Sequence, residues 1–214
     1  DSDITQEATS EHDNSVDLGN VKADDLVEVA SLTSDAPESF SLGVTAITWT
    51  ATDSSGNVST ATQKITITDT TVPTVSAPSD ITLEATSKSD NVLSLETPIA
   101  TDNVGVSSLT NDAPATFPVG ETIVTWTAKD SSENVSTVSQ KITMIDTVPP
   151  KFTKLSDITV EATSNDKNLV SLVAPQVSDI LDIVSLTNDA PEAFSLGETT
   201  AVSYTHLTLP TTSR

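Results

Sequence analysis

The residues of this chain that could do chemistry are oxygen donors placed where the chain turns. Asp69, Asp102, Asp130 and Asn134 form one set, and Asp146 and Asp179 a smaller one. Carboxylates and amides of this kind suit a hard divalent cation: calcium takes six to eight oxygens from carboxylates, carbonyls and amides. Asp and Asn in turns also bond their own backbone, so turn capping accounts for the same residues, and both readings stay open at this level. Calcium is the one cofactor the pattern suggests.

Other chemistries lack their parts. A Ser-His-Asp arrangement needs a histidine base held by a carboxylate. His12 sits in a polar run, Glu11-His12-Asp13-Asn14, and the other histidine, His206, falls in a tail discussed below. There is no cysteine nucleophile, no histidine cluster for zinc and no glycine-rich phosphate loop. Paired carboxylates could hydrolyse glycosides, but acids repeated along the chain fit a single cleft poorly. No catalytic residue is assigned, and the chain is expected not to be an enzyme.

What must position these residues is a repeat. S-L-T-[SN]-D-A-P occurs at Ser31–Pro37, Ser108–Pro114 and Ser185–Pro191, with its leucines 77 residues apart. Asp25, Asp102 and Asp179 keep the period, as do Glu7, Glu84 and Glu161, Phe40, Phe117 and Phe194, and Gly43, Gly120 and Gly197. Such self-similarity marks a tandem array. The copies are read as 1–73, 74–150 and 151–200, the third incomplete, followed by a tail at 201–214.

Within a copy, alternation of apolar and polar residues predicts half-buried strands. Val124, Trp126 and Ala128 share one face, as do Ile47, Trp49 and Ala51, so each tryptophan is expected to face inward. Ile65, Ile67, Ile142 and Met144 read as the inward side of the last strand. In the second copy, strands are predicted near 80–85, 91–96, 104–110, 114–118, 121–129 and 134–145, with a short one at 98–101. Seven short antiparallel strands at this spacing predict an all-β fold, a two-sheet sandwich in each tandem copy. In that topology the Asp102-Asn103 loop, the Asp130–Asn134 loop and the incoming linker at Asp69 share one pole, where their acids could converge. At the next junction Asp146 and Asp179 remain. Proline in Asp69–Pro73 and Asp146–Pro150 stiffens the connectors, so a semi-rigid rod is expected.

There are 31 acidic residues against 9 basic ones and no cysteine, for a formal charge of −22. A nucleic-acid partner would need a basic face, and anionic membranes repel such a charge. No apolar run is long enough to span a bilayer. Asn57-Val58-Ser59 and Asn134-Val135-Ser136 are formal glycosylation sequons on turns that call for those residues anyway.

Taken together, the D-T-x-x-P linker, S-D-I-T-x-E-A-T, A-T-D-N-V-G, S-L-T-N-D-A-P, F-P-V-G-x-T-x-V-T-W-T-A and D-x-S-x-N resemble the HYR (hyalin repeat) family over residues 1–200, most fully in the second copy. The resemblance implies an immunoglobulin-like sandwich in an extracellular or cell-surface protein, with a structural or adhesive role and no catalytic residues. The missing cysteines point to a bacterial source. The partners expected are other repeats of the same chain and cell-surface or matrix proteins or glycans. The alternative is an accessory, carbohydrate-associated region of a larger secreted hydrolase. Val202–Thr211 resembles one translated frame of a transposase-end sequencing adapter, so 201–214 is expected to be non-native.

Overall fold

The computed structural model describes residues 2–207 and contains strands, turns and bends but no helix among them. The last seven residues of the expected tail lie outside the described residues. Fourteen strands run in chain order: β1 Ile4–Glu7, β2 Val29–Ser34, β3 Gly43–Asp53, β4 Val58–Thr68, β5 Thr74–Val75, β6 Ile81–Glu84, β7 Ala100–Thr101, β8 Val106–Asn111, β9 Gly120–Asp130, β10 Val135–Ile145, β11 Lys151–Phe152, β12 Val177–Ser178, β13 Ile183–Asn188 and β14 Ser203–Leu207. The 77-residue spacing recurs in the elements themselves, from β2 to β8 to β13 and from β3 to β9.

One sheet has the order β1-β4-β3-β2 and another β6-β10-β9-β8. Pairing is antiparallel along β2, β3 and β4, while the edge strands β1 and β6 run parallel to β4 and β10. β5 pairs with β7 and β11 with β12 as short ribbons.

The chain forms two compact units, with boundaries that pass through the second copy. The first comprises 1–78, 96–113 and 124–140; the second comprises 79–95, 114–123 and 141–214. In the first unit, Ala8, Phe40, Ile47, Ile65 and Ile67 form a buried cluster against which Trp49, Leu42 and Val104 pack. Burial on β9 alternates residue by residue: Val124, Trp126, Ala128 and Asp130 point inward. The Trp126 indole N–H donates to Gln140 Oε1 at 3.2 Å and that of Trp49 to Gln63 Oε1 at 3.0 Å. Trp49 is only half-buried. In the second unit, Ala85, Phe117, Ile142 and Met144 are buried.

Residues 91–96 and 114–118, expected as strands, meet in a single bridge, Asn91↔Phe117. The reason is a side chain. Asn91 is buried, and its amide donates to the carbonyls of Ser87 (2.7 Å) and Phe117 (2.8 Å) while its Oδ1 accepts from the N–H of Thr86 (2.8 Å) and Ser87 (3.0 Å). It thus satisfies main-chain groups that a ladder would otherwise pair. Asn14 and Asn168 do the same at the bridges Asn14↔Phe40 and Asn168↔Phe194.

In the third copy Ser203, not a tryptophan, stands opposite Asn188, where Trp49 stands opposite Ser34 and Trp126 opposite Asn111. Val202 and Tyr204 flank that inward position and are largely exposed. The strand β14, Ser203–Leu207, therefore carries Tyr204 one residue out of step with the tryptophans.

Candidate metal centre

The period-2 pattern that buries Trp126 also buries the last residue of β9. Asp130 has no exposed surface. Its Oδ1 accepts from the N–H groups of Ser132 (2.8 Å) and Asn134 (2.9 Å), and its Oδ2 from the Asn134 side-chain amide (2.8 Å). Burial pushes this carboxyl up; the Asn134 amide and the N–H groups of Asn134, Ser132 and Glu133 outweigh it and hold Asp130 below the ordinary carboxylate range. The tight turn that supplies those donors places Glu133 at φ 74°, the position Gly56 holds in the first copy at φ 87°.

Asp102 follows β7 and opens an Asx turn, its Oδ1 accepting from Val104 (2.9 Å) and Gly105 (3.1 Å). Asp69 follows β4 and is 8% exposed. Its Oδ1 accepts from Thr71 N–H at 3.2 Å. The Oδ2 atoms of Asp69 and Asp102 are buried and have no hydrogen-bond partner. Carboxylate oxygens of Asp69, Asp102 and Asp130 lie within 4.8 Å of one another, and among the described residues this is the one group of three acids or histidines so gathered.

The loops that carry them are anchored. The Asn134 amide donates to the Asp69 carbonyl at 3.1 Å as well as to Asp130, the Asn103 amide donates to the Ala8 carbonyl at 2.6 Å, and Val104 packs on the Ala8–Phe40 cluster. Glu7 accepts from the N–H groups of Thr70 (2.7 Å) and Thr71 (3.1 Å), and from both hydroxyls, so the linker is fastened to β1. The Thr70 N–H leads the contacts that hold Glu7 below its ordinary range. All these residues belong to the first unit.

Asp146 and Asp179 lie in the second unit. Asp146 accepts from Val148 N–H at 3.1 Å and leaves a buried Oδ2 without a partner; Asp179 accepts from Leu181 N–H at 2.9 Å. Burial pushes the Asp146 carboxyl up, and the nearby charges of Asp179 and Glu84 add to that against the Val148 N–H. The position 77 residues beyond Asp130 is Leu207, so this pair has no third carboxylate from that place in the repeat.

Sequence reasoning passed over the structural roles of Asn91, Gln140 and Glu84. Their shared period with Asn14, Gln63 and Glu7 was the available signal. Glu84 accepts from Thr147 N–H at 2.8 Å, as Glu7 does from Thr70.

Residues 68–144 match the model of the HYR domain. The chain is similar to the HYR domain over those residues. It is 34% identical over 185 residues to hyalin of Lytechinus variegatus and 38% identical over 193 residues to hyalin of Strongylocentrotus purpuratus, alignments that take in 80% and 83% of this chain. The chain spans 34% and 16% of the length of those two relatives. Extracellular cadherin domains 1–4 of protocadherin gamma B7 overlay 97% of this chain and 66% of theirs, at 14% identity and a TM-score of 0.37. The similarity to the HYR domain and to hyalin places the chain with extracellular or cell-surface proteins.

Proposed function

We propose that this chain is a non-catalytic repeat segment of an extracellular adhesion protein, serving as a semi-rigid spacer or multivalent stalk. The observation that carries this reading is the recurrence of the same strands and the same buried asparagine bridge every 77 residues. Repetition multiplies weak contacts and sets distance. It does not build one singular pocket. The linker after β4 supports stiffness, because Glu7 holds Thr70 and Thr71, and Pro73 follows. Surface or matrix proteins, glycans and further repeats are the partners this role would engage.

The length of the long strands scales the spacer. β9 and β10 have 11 residues each, and about 3.3 Å per residue gives roughly 36 Å per copy. Small-angle X-ray scattering of the chain tests this. An elongated particle with an increment of that order per copy is expected. A compact particle with copies folded back on one another would rule out the spacer.

A further inference from the structure

We propose that Asp69, Asp102 and Asp130 form a calcium site that ties the linker after β4 to two loops of the second copy. The inference goes beyond the spacer reading and rests on the three carboxylates alone.

Every donor is an oxygen, and each comes from a different segment: the end of β4, the turn after β7 and the end of β9. No sulfur or imidazole is present, which favours a hard cation over zinc. Three carboxylates held within 4.8 Å of one another repel strongly, and two of them keep buried oxygens with no donor. Asp69 is more than nine-tenths buried. Buried unpaired charge is costly, and in a native structure it needs a partner. The adjacent base does not supply one: Lys129 pairs with Glu133.

The lone pairs that remain are the ones a cation needs. Asp69 and Asp102 each spend Oδ1 on backbone N–H groups and keep Oδ2 free of hydrogen bonds. Asp130 Oδ2 has accepted one hydrogen bond and retains capacity for another partner. Asn134 acts as a positioning residue, since its amide N–H groups are committed to Asp69 and Asp130. Backbone carbonyls and water would complete a calcium shell. Magnesium demands stricter octahedral geometry and keeps more water.

Asp146 and Asp179 repeat two of the three ligands, with Leu207 at the third place, so one strong site per chain is expected.

The test is calorimetric titration of the whole chain with calcium and with magnesium, paired with thermal melts in calcium and in chelator. One calcium per chain is expected, with Kd in the roughly 10⁻⁴–10⁻³ M range of extracellular modules, and weaker magnesium binding. Asp102→Asn should weaken calcium at least tenfold, raise the melting temperature in chelator by relieving repulsion, and abolish the rise that calcium gives the parent. Asp69→Asn is the second variant and should behave alike; Asp146→Asn should leave binding unchanged. No binding at 10-fold above that range, or one-site binding that neither Asp102→Asn nor Asp69→Asn alters, overturns the assignment.

Discussion

Replacing Asn91 by alanine should destabilise the second copy more than its size suggests. The side chain is 2% exposed and makes four short hydrogen bonds to main-chain groups of Thr86, Ser87 and Phe117. The Phe117 carbonyl keeps the Asn91 N–H as a partner at 3.3 Å. The two N–H groups and the Ser87 carbonyl lose theirs. Each buried unsatisfied group costs ~1–3 kcal/mol, and water will reach some of these part-buried atoms, so a total of about 2–4 kcal/mol is expected. For a domain of this size that lowers the melting temperature by roughly 10–25 °C. The assay is urea and thermal unfolding followed by the emission of Trp126 in a Trp49→Phe background. Asn14→Ala, read through Trp49 in the complementary Trp126→Phe background, should act likewise on the first copy. A change below about 0.5 kcal/mol, the size of an ordinary surface substitution, would refute the view that this asparagine replaces a strand ladder.

Three further outcomes follow from the same structure. Gly56→Glu should cost about 1–2 kcal/mol because the residue sits at φ 87° with open space around a would-be Cβ, so the cost is conformational; Glu133→Gly should gain up to about 1 kcal/mol in a urea melt. Asp53, held below its ordinary range chiefly by the Asn57 amide and N–H, contributes stability that is present above its unfolded pKa and is lost as pH falls through the lower folded value; NMR titration should show that low midpoint, and Asn57→Ala should raise it. Limited proteolysis should cut first beyond residue 150, where the sheets have only two strands and Leu169 and Val173 are exposed; equal protection of all three copies would contradict this.

Much of the fold was legible because burial leaves a period-2 trace. β9 shows it most plainly, and continuing the count Val124, Trp126, Ala128 by one more step reaches Asp130, so its burial was readable too. The long-range polar roles were not. A recurring Asn14, Asn91 and Asn168 shows that something is kept, but not that one amide holds four main-chain groups across 26 residues of chain. The predicted strands at 91–96 and 114–118 failed for that reason: a side chain, with prolines nearby at 98, 114 and 118, does what backbone pairing was expected to do. The parallel edges at β1 and β6 were also illegible, since alternation marks a face and not a direction. For the candidate site, turn residues were visible as turn residues. Which of their oxygens stay unpaired depends on packing: Asp69 and Asp102 have such atoms, whereas Asp130 and its counterpart Asp53 each accept hydrogen bonds on both carboxylate oxygens within their own turns.

The proposed calcium site after β4 is the central claim. An anomalous difference map from crystals of the chain grown in calcium tests that most directly. A single strong peak within about 2.3–2.6 Å of oxygens from Asp69, Asp102 and Asp130 is expected. The same three carboxylates bridged only by water or by a basic side chain, with no peak at millimolar calcium, would contradict it.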